Sequence, residues 1–396
     1  MSHSSQRVLL LGASGSIGRQ TLDILKQHPE DFTLVGISAG HQEKALDEII
    51  QDFPSIQWAG LSTLLPNQVD QKNAIQSQVK WIGGKDQMTK LVQEADYDIL
   101  VNAVVGFRGL KPTLEAIQKN KIIALANKES LVCGGELVKQ ALKSSTSTLR
   151  PIDSEHSAIW QCLQGNKKED IERLIITASG GSLRDVSREK LRDITPKQAL
   201  KHPSWSMGPR ITIDSATMVN KGFEVIEAHY LFDLPYEQIA TVLHPQSIVH
   251  SLVEYKDHAC IAQLGSADMR LPIQYALYGP DRPYFKENAP LDMTKALTLT
   301  FQEMDFERYP LLKTAYEVGT KKGNTGCIFN AADEKAVELF LKGQIPFLFI
   351  EELILLALEN IPWLENPSYS DLEETDRQTR LYVQSMAEAF YPLKEK

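Results

Sequence analysis

The stretch Val8-Leu-Leu-Leu-Gly12-Ala-Ser-Gly15-Ser-Ile-Gly18 decides the fold of the first part of the chain. A short apolar run typical of a buried strand leads into glycines at every third position, and a helical pattern follows to about Lys26. Glycines let backbone N–H groups approach a pyrophosphate closely, and the N-terminus of the helix adds partial positive charge. The stretch therefore predicts a dinucleotide site, with a simple tight turn as the alternative interpretation.

Apolar runs typical of strands alternate with helical patterns over about the first 150 residues. The runs are Val8 to Leu11, Thr33 to Ser38, Tyr97 to Ala103 and Ile122 to Ala126. Alternation of this kind is typical of a doubly wound parallel sheet with helices on both faces. We therefore predict an α/β protein whose residues 1–150 form a Rossmann-like nucleotide-binding domain.

The rest of the chain changes character twice. Residues 151–280 contain β-type runs separated by polar clusters, which predicts a central α+β domain. The runs are Leu174 to Thr177, Ile211 to Asp214, Thr241 to Leu243, Ser247 to Tyr255 and Ala259 to Leu264. Prolines indicate a linker at 281–306, and helical periodicity predicts a helical C-terminal domain at 307–396. Gly180 to Pro209 has weak periodicity, so we expect part of it to form a mobile loop.

The end of the second apolar run bears on the choice of nucleotide. Enzymes that use NAD place Asp or Glu about 20 residues after the glycine motif, where the carboxylate binds the ribose hydroxyls. Here that position reads Ser38-Ala39-Gly40-His41-Gln42, and Lys44 follows. Because no carboxylate at this position would repel a 2′-phosphate, we predict NADPH rather than NADH as the cofactor.

Composition sets broad limits on the class of protein. The formal net charge is 42 − 51 = −9, which argues against general nucleic-acid binding. The cysteines Cys133, Cys162, Cys260 and Cys327 have no CxxC spacing, so we interpret them as reduced core thiols. The N-terminus has no apolar signal-peptide core, and Ile345 to Leu358 is too short and too charged to cross a bilayer. We therefore expect a cytoplasmic protein that does not bind membranes.

The segment Pro151-Ile-Asp153-Ser154-Glu155-His156-Ser157 places two carboxylates two residues apart. In an extended segment such side chains point to the same side. Two close carboxylates repel each other unless a cation lies between them, and hard oxygen ligands suit Mg²⁺ or Mn²⁺. Asp153 and Glu155 are therefore candidate metal ligands, with a solvated surface pair as the alternative.

A second motif, Asp214-Ser215-Ala-Thr217-Met-Val-Asn220-Lys221-Gly222-Phe-Glu224, combines an acid with phosphate-binding residue types. Glu224 follows Lys221 by one helical turn, so both side chains can face one site. Ser215, Asn220 and Lys221 offer the hydroxyl, amide and ammonium donors that a phosphate accepts. The alternative is a surface helix with a solvated Lys–Glu pair.

The third motif, Ala126-Asn127-Lys128-Glu129-Ser130, directly follows an apolar run. In doubly wound sheets, ligands bind beyond the carboxyl ends of the strands. The polar residues of this motif are therefore placed to contact a nicotinamide ring and a substrate, and a helix cap is the alternative interpretation.

Together these motifs resemble the 1-deoxy-D-xylulose 5-phosphate reductoisomerase family over essentially the whole chain. The matching stretches are Gly12 to Gly18, Ala126 to Ser130, Asp153 to Glu155, Ala178-Ser-Gly-Gly181, His202-Pro-Ser-Trp-Ser-Met-Gly208 and Asp214 to Glu224. The resemblance implies an NADPH- and metal-dependent enzyme of non-mevalonate isoprenoid biosynthesis, which rearranges and reduces 1-deoxy-D-xylulose 5-phosphate to 2-C-methyl-D-erythritol 4-phosphate. It also implies a homodimer in which residues 151–280 serve catalysis, metal binding and dimerisation.

The resemblance also implies roles for single residues. One divalent ion per subunit, Mg²⁺ or Mn²⁺, would be bound by Asp153, Glu155 and Glu224, which together with Lys128 would be catalytic. The implied substrate contacts are Lys128, Ser154, Glu155, Ser179, His202, Trp205, Ser215, Asn220, Lys221 and Glu224. The implied cofactor contacts are Ser14, Gly15, Ser16, Ile17, Gly40, His41, Gln42, Asn127, Glu129 and Gly208. The family often has a basic residue just after Gly40, where this chain has His41.

Two other functions stay open from the sequence. One is an NADP-dependent dehydrogenase of another small phosphorylated substrate, although simple hydride transfer rarely needs a site with three carboxylates. The other is a nucleotide-sensing binding protein, which would leave those carboxylates unexplained. We interpret His156, His244 and His250 as structural histidines, with a role beside the metal ligands as the alternative.

Overall fold

A computed structural model describes residues 5–75, 78–201, 207–286 and 290–391. The strands are β1 (Gln6–Leu11), β2 (Phe32–Ala39), β3 (Trp58–Leu61), β4 (Lys80–Gly83), β5 (Ile99–Asn102), β6 (Ile122–Leu125), β7 (Thr148–Pro151), β8 (Ile171–Ala178), β9 (Ile239–Leu243), β10 (Val249–Tyr255), β11 (Cys260–Leu264) and β12 (Gln302–Glu303). The helices of the first half are α1 (Ser16–Gln27), α2 (Glu43–Asp52), α3 (Pro66–Ile75), α4 (Gln87–Glu94), α5 (Leu110–Gln118), α6 (Glu129–Lys143) and α7 (Ser154–Cys162). Those of the second half are α8 (Pro196–Ala199), α9 (Pro209–Thr217), α10 (Val219–Phe232), α11 (Arg270–Tyr278), α12 (Pro310–Lys321), α13 (Thr325–Leu341), α14 (Phe349–Asn360) and α15 (Tyr369–Phe390).

Contacts between residues group the chain into two compact units, each made of several segments. Unit 1 comprises Met1–Asn127, Val138–Ser157 and Met269–Phe285. Unit 2 comprises Lys128–Leu137, Ala158–Asp268 and Lys286–Lys396. The division of the chain into four consecutive parts by function stays a prediction.

Unit 1 is built on a seven-stranded parallel sheet with the order β4-β3-β2-β1-β5-β6-β7. The strand order reverses at β1, because β2 lies on one side of it and β5 on the other. Leu11 pairs with Ser38 and Asn102, and Leu125 pairs with Asn102 and Pro151, so these strands end at one edge. Ligands of open parallel sheets bind beyond such an edge, at the point of reversal.

The strands of unit 1 are continuous apolar runs, as expected of a parallel sheet whose two faces are covered. Helix α1 turns Leu22 and Leu25 toward the core, whereas its polar residues face solvent. Helix α11 comes from much later in the chain, and its Ile273 and Leu277 join the same hydrophobic core. Burial of these apolar side chains removes them from water and is the main force that stabilises the sheet.

Unit 2 contains a five-stranded mixed sheet with the order β11-β10-β8-β9-β12. Strands β8 and β9 are parallel, and the other neighbours are antiparallel. Helices α12, α14 and α15 pack against α13, in which Phe329 and Phe340 are fully buried. A helix that is buried on most sides is expected at the centre of such a helical layer.

The predicted fold class is confirmed, since a Rossmann-like parallel sheet, a second sheet and a helical C-terminal region are all present. The strand expected at Ile211 to Asp214 is instead part of α9, so that prediction is wrong. Its β-branched residues are typical of strands. However, Gly208 caps the helix and Pro209 takes the first helical position, which favours a helix start. Strands β3, β4, β7 and β12 were not predicted from the sequence.

Part of the predicted mobile loop has defined contacts. Between Gly180 and Lys201 the chain forms a 3₁₀ turn at Arg188–Asp193 and the helix α8. The Arg308 guanidinium donates to the carbonyls of Leu183 (3.1 Å) and Val186 (2.8 Å). Residues 202–206, and with them the predicted substrate contacts His202 and Trp205, lie outside the described residues. The mobility of this loop therefore stays a prediction.

No helix within the described ranges has both the length and the apolar character needed to cross a bilayer. The apolar stretch Ile345 to Leu358 includes most of α14, in which Ile350 and Leu353 are buried. This stretch therefore forms a largely buried helix of unit 2.

Candidate functional site

The glycine motif forms a tight loop between β1 and α1. Gly12 has φ 81°, and a Cβ at this position would lie 2.4 Å from the Ala103 carbonyl oxygen. A Cβ on Gly18 would lie 2.3 Å from the Gly12 carbonyl oxygen. Gly15 is the N-terminal cap of α1, where the first backbone N–H groups have no partner within the helix. The loop therefore offers backbone donors to an anion such as a pyrophosphate.

The first group of predicted cofactor contacts lies on this loop. All four are at least partly exposed: Ser14, Gly15, Ser16 and Ile17. The Arg19 side chain donates to the Ser14 carbonyl (3.2 Å), which holds the loop against the start of α1. The structure thus brings these four residues together at the sheet edge where a nucleotide is expected.

The second group of predicted cofactor contacts links β2 to α2. All three are exposed: Gly40, His41 and Gln42. The next carboxylate, Glu43, forms an ion pair with Lys72 at 3.0 Å. Lys72 also pairs with Asp47 at 3.0 Å, so it compensates only part of the negative charge on α2. Residues 38–42 themselves carry no carboxylate that would face a 2′-phosphate.

Asn127 is fully buried and holds a neighbouring loop. Its Nδ2 donates to the carbonyls of Val104 and Gly106, both at 3.0 Å. A Cβ on Gly109 would lie 2.1 Å from the Asn127 Oδ1 atom. The side chain therefore fixes the loop after β5, and its role as a direct cofactor contact stays a prediction.

Asp153 and Glu155 converge as predicted, with carboxylate oxygens within 4.8 Å of each other, but the extended segment from which this was predicted is wrong. Helix α7 begins at Ser154, so Asp153 precedes the helix and Glu155 lies in its first turn. Asp is favoured just before a helix, which explains the local conformation. The Ser154 hydroxyl donates to the Glu155 carboxylate, and His156 Nδ1 lies 3.8 Å from Asp153 Oδ2. Both carboxylates are partly exposed.

Within unit 2, four predicted site residues form one cluster around the carboxylate of Glu224. The Asn220 amide donates to Glu224 Oε1 at 2.5 Å, and Lys221 forms an ion pair with Glu224 Oε2. The Lys128 ammonium lies 2.7 Å from Asn220 Oδ1 and 3.5 Å from Glu224 Oε1. The predicted one-turn pairing of Lys221 and Glu224 is confirmed, and the two ammonium groups give the cluster a net positive charge.

Glu224 and Lys221 are buried, being 1% and 4% exposed. A solvated surface pair on α10 is therefore excluded. Buried charges are retained in proteins mainly where they are paired or bind an ion. This burial supports a functional role for the pair.

The two serines predicted to bind phosphate belong to segments in close contact. Ser179 begins the turn after β8, and Ser215 lies on α9. Gly181 has φ 71°, and a Cβ there would lie 2.6 Å from the Ser215 carbonyl oxygen. Glycine is therefore required for this approach, which brings the turn of Ser179 against the helix of Ser215.

Arg210 is a charged residue that the sequence analysis missed. It lies on α9, and its guanidinium contacts Glu129 (2.8 Å), Glu334 (3.0 Å), Asp333 (3.4 Å) and Asp214 (3.4 Å). Burial lowers the pKa of Arg210, but the surrounding carboxylates raise it more, so the group stays charged. The available signals were the helix start at Gly208-Pro209 and the i,i+4 spacing of Arg210 and Asp214.

Glu129 and Gly208, both predicted cofactor contacts, belong to this part of unit 2. Glu129 is only 7% exposed and is paired with Arg210, whereas Gly208 is exposed at the start of α9. Their contacts with a nucleotide stay a prediction. The three predicted metal ligands are divided between the units, since Asp153 and Glu155 belong to unit 1 and Glu224 to unit 2. That they bind one ion together also stays a prediction.

His244 has the contacts of a structural histidine. It is fully buried, its Nε2 accepts from the N–H groups of Ile248 (3.2 Å) and Val249 (3.1 Å), and its Nδ1 lies 2.8 Å from the Thr300 carbonyl oxygen. These contacts support the structural interpretation of this residue. His156 lies beside Asp153, and a role next to the metal ligands stays open for it.

The chain matches family models over three ranges. Residues 8–135 match "1-deoxy-D-xylulose 5-phosphate reductoisomerase". Residues 149–232 and 264–382 match the C-terminal domains described for the same enzyme. A 1-deoxy-D-xylulose 5-phosphate reductoisomerase of Geobacillus sp. (strain WCH70) is 49% identical over 96% of this chain and 99% of its own length. One of Bacillus pumilus is 48% identical over the same shares of the two chains.

Solved structures show the same similarity. The structure of the Zymomonas mobilis 1-deoxy-D-xylulose 5-phosphate reductoisomerase in complex with NADPH is 37% identical, with a TM-score of 0.89, and covers 97% of this chain and 100% of that chain. A DOX-P reductoisomerase in complex with NADPH, fosmidomycin and magnesium is 35% identical, with a TM-score of 0.92, and covers 98% of this chain and 99% of that chain. The similarity therefore spans whole chains on both sides.

Proposed function

Because the chain belongs to the 1-deoxy-D-xylulose 5-phosphate reductoisomerase family, we propose that it converts 1-deoxy-D-xylulose 5-phosphate to 2-C-methyl-D-erythritol 4-phosphate with NADPH and a divalent metal ion. The single observation that carries this proposal is the match to family members over nearly the full length of both chains. The glycine loop of unit 1 and the acid–lysine cluster of unit 2 support it, since they offer donors for a dinucleotide and for an anionic substrate.

We propose that Asp153, Glu155 and Glu224 bind one Mg²⁺ or Mn²⁺ per subunit. The chemistry of the donors supports this assignment, because carboxylate oxygens are the ligands that these hard cations prefer. When bound, the ion supplies Lewis-acid stabilisation of negative charge on the substrate's oxygen atoms. The amide and ammonium groups of Asn220 and Lys221 hold the Glu224 carboxylate in one orientation.

Lys128 is proposed to contact the reacting end of the substrate, together with Ser154. Its ammonium group is 11% exposed and lies beside Glu224. A positive charge held at this position lowers the energy of negative charge that develops on a nearby substrate oxygen. The chain's own contribution at this point is therefore orientation and charge, while NADPH supplies the hydride.

The phosphate group of the substrate is proposed to bind Ser179, Ser215, Asn220 and Lys221. The close contact between the turn at Gly181 and α9 supports this, because it brings the segments of both serines together. Hydroxyl, amide and ammonium donors suit a phosphate dianion. His202 and Trp205 are proposed to complete this part of the site and to cover the substrate.

For the nucleotide, the proposed contacts are Ser14 to Ile17, Gly40, His41, Gln42, Asn127, Glu129 and Gly208. The glycine loop at the reversal point of the parallel sheet supports the first group. The absence of a carboxylate from residues 38–42 supports a 2′-phosphate near His41. NADPH is therefore the proposed cofactor.

The protein is also proposed to be a cytoplasmic homodimer. Within the described residues β11 pairs only with β10, so it is an edge strand, and its Ile261 is 40% exposed. Edge strands with exposed apolar residues are ready to pair with another chain. Sedimentation analysis tests the dimer, for which twice the chain mass of 44.4 kDa, or 88.8 kDa, is expected. A species of 44.4 kDa at micromolar concentration would contradict it.

One assay tests the activity. The purified chain is mixed with NADPH and 1-deoxy-D-xylulose 5-phosphate, with Mg²⁺ and after exhaustive chelation, and the product is identified by mass spectrometry and NMR. We expect NADPH oxidation only with the metal, and a branched-chain polyol phosphate as product. NADPH oxidation that yields an unrearranged alcohol would instead indicate a plain dehydrogenase.

A further inference from the structure

We infer that Arg210 is a positioning residue that keeps Lys128 in place through Glu129. This inference rests on the proposed function, because it assigns a purpose to Lys128 in the reaction. Arg210 itself reaches neither the substrate nor the cofactor in this scheme. It acts by fixing the short piece of chain that carries Lys128.

That piece of chain is the first turn of α6, which is separated from the rest of its helix. Gly134 has non-helical angles (φ −133°, ψ 26°), so the helix is interrupted six residues after Lys128, in less than two turns. Backbone hydrogen bonds from Leu131 and Val132 to the Lys128 carbonyl close this turn. A single turn has little stability by itself, because the first turn of a helix is the costly one to form. Contacts from other elements must therefore hold it.

Two such contacts come from neighbouring helices of unit 2. A Cβ on Gly326 of α13 would lie 2.0 Å from the Val132 carbonyl oxygen, so α13 lies directly against the turn. On the other side, the Arg210 guanidinium of α9 donates to Glu129 Oε1 at 2.8 Å. Glu129 is the residue next to Lys128, so this ion pair anchors the turn at the point where the ammonium group is attached.

Arg210 is fixed in turn by the same helix that supports the turn. Its guanidinium also donates to Asn330 (3.1 Å), Asp333 (3.4 Å) and Glu334 (3.0 Å) of α13. These positions follow Gly326 at intervals of three and four residues, so they lie on one face of α13. One face of α13 therefore supports the turn in two ways. Gly326 packs directly against the Val132 carbonyl, and Asn330, Asp333 and Glu334 hold Arg210, which binds Glu129.

The carboxylates around Arg210 determine which residue should move when Arg210 is replaced. Glu129, Asp214, Asp333 and Glu334 all lie within 3.4 Å of its guanidinium, and each is buried or nearly so. Without Arg210, Glu129 would lose its cationic partner in a site with little water. Glu129 lies on the short piece of helix before Gly134, so we expect that piece to shift and to displace Lys128.

The same helix α9 carries Ser215, a proposed phosphate contact. Arg210 therefore links the helix that is proposed to bind the phosphate to the turn that carries Lys128. A displacement of about 1 Å in a reacting group lowers turnover by a factor of about 100, which sets the expected size of the effect.

A double-mutant cycle tests the inference. We would measure kcat, the KM values for both substrates and the thermal midpoint of Lys128→Ala, Arg210→Met and the double variant. We expect Arg210→Met to lower kcat by about 100-fold. The double variant should be no slower than Lys128→Ala alone, because Arg210 acts only through Lys128. Arg210→Lys, which keeps the charge, should recover much of the lost kcat.

Arg380→Met is the matched control. Arg380 forms an ion pair with Glu334 at 2.6 Å, the same carboxylate that Arg210 contacts, and it also pairs with Asp376. No contact joins Arg380 to Glu129 in the described chain. Its loss disturbs the same carboxylate network, so the thermal midpoint should fall. The kcat value should nevertheless stay within about twofold of the wild-type value, because surface and network pairs away from the turn act on stability alone.

Glu129→Gln keeps the inference testable if Arg210→Met does not fold. This variant leaves the other acceptors of Arg210 in place and weakens only the contact between Arg210 and residue 129. We expect a lower kcat at saturating NADPH, beside any rise in the KM for NADPH, because Glu129 is also a proposed nucleotide contact. An unchanged kcat at saturating NADPH would overturn the inference.

Three further outcomes would also overturn the inference. One is a double variant whose loss of kcat is the product of the two single losses. Another is an Arg210→Met enzyme that turns over as fast as Arg380→Met. The third is a Lys128→Ala enzyme with normal kcat. A wild-type chain without reductoisomerase activity would instead refute the proposed function itself, and this is seen before any variant is compared.

Discussion

Glu224 shows how a single buried carboxylate is prepared for a ligand. An amide and two ammonium groups lie around it within unit 2, and its side chain is 1% exposed. The negative charge of a carboxylate in such a setting is compensated from several sides. The contacts with Asn220 and Lys221 also fix the direction of its oxygen atoms, which a metal ligand requires.

Glu224→Gln is expected to weaken the metal dependence and to lower kcat by about 100-fold or more, because the amide oxygen carries no charge for the ion. The measurement is kcat as a function of Mg²⁺ concentration. Glu317→Gln, on the exposed side of α12, is the control and should behave as the wild type. Near-normal activity of Glu224→Gln would remove this residue from the ligand set.

Lys221→Ala is expected chiefly to raise the KM for 1-deoxy-D-xylulose 5-phosphate, because an ammonium donor to the phosphate is lost. The KM for NADPH should change little. Inhibition by inorganic phosphate should weaken in parallel. Lys313→Ala removes an exposed lysine of α12 and serves as the control. An unchanged KM for the sugar phosphate would exclude Lys221 as a phosphate contact.

Site residues that act through partners close to them in the chain could be predicted from the sequence. The glycine loop follows from spacing alone, and the pairing of Lys221 with Glu224 follows from one helical turn. For Arg210 the local signals covered only the helix start and the spacing to Asp214, because Glu129 lies 81 residues away from it and Asn330 lies 120 residues away. Its partners are brought together only by the packing of three helices, which no local pattern encodes.

Among the elements, α9 is the one whose type the sequence analysis predicted wrongly. Three β-branched or apolar residues in a row are typical of a strand, and this local preference decided the prediction. Tertiary packing overrides such preferences, since Ile213 and Asp214 are buried as part of a helix. The prediction of an extended segment at Asp153 to Glu155 was also wrong, because helix α7 begins at Ser154.

The turn after β8 offers a test of how tightly α9 is packed. Gly181→Ala is expected to cost roughly 3 kcal/mol or more, because a positive φ and an overpacked contact with Ser215 act together. Gly165→Ala has a similar φ of 80° but open space around its Cβ, so it should cost only about 1–2 kcal/mol. Urea unfolding measures both. Equal losses in the two variants would show that the turn does not press on α9.

The same Gly181→Ala variant should also bind substrate less well, because the added methyl group separates the segments of Ser179 and Ser215. The KM for the sugar phosphate is the measurement. A KM equal to that of Gly165→Ala would contradict the shared phosphate site.

Asp214 on α9 gives the stability of unit 2 a dependence on pH. Burial raises the pKa of Asp214 from 3.8 to about 7, against the attraction of Arg210. The charged groups that act on it come from three helices: Lys128 and Glu129 at the start of α6, Arg210 on α9, and Asp333 and Glu334 on α13. Between pH 4 and 7 the folded state therefore keeps a proton that the unfolded state loses.

It follows that the contribution of Asp214 to stability falls as the pH rises through this window and is constant above it. Asp214→Asn cannot ionise, so its stability relative to the wild type should increase between pH 4 and 7. The measurement is the urea midpoint at several pH values. Asp185→Asn is the control, because Arg184 holds the pKa of that exposed carboxyl below its usual value and the difference should be flat over this range.

At the scale of the whole molecule, each unit is assembled from separate stretches of chain. The segment Met269–Phe285 belongs to unit 1 although about 110 residues of unit 2 precede it. Its helix α11 looks like any amphipathic helix in the sequence, so the core that it joins could not be predicted. Much of the alternation of strands and helices in the first 125 residues was predictable, because β1, β2, β5 and β6 are apolar runs, whereas β3 and β4 were not predicted.

Because the proposed nucleotide site lies mainly in unit 1, NADPH alone should stabilise the protein without substrate or metal. At 100 times its dissociation constant, it should add about 2.7 kcal/mol to the stability of the unit that binds it. Calorimetry would record this as a higher unfolding temperature. NADH at the same concentration is the control and should shift the temperature less. Equal shifts with the two nucleotides would contradict the predicted preference.

The four cysteines allow unfolding to be followed by chemical labelling of their thiols. Cys133, Cys162 and Cys327 are buried, whereas Cys260 on β11 is exposed. An alkylating reagent reacts only with thiols that it can reach. The native chain should therefore carry one adduct and the unfolded chain four, so the mass of the labelled protein reports directly how much of unit 2 has opened.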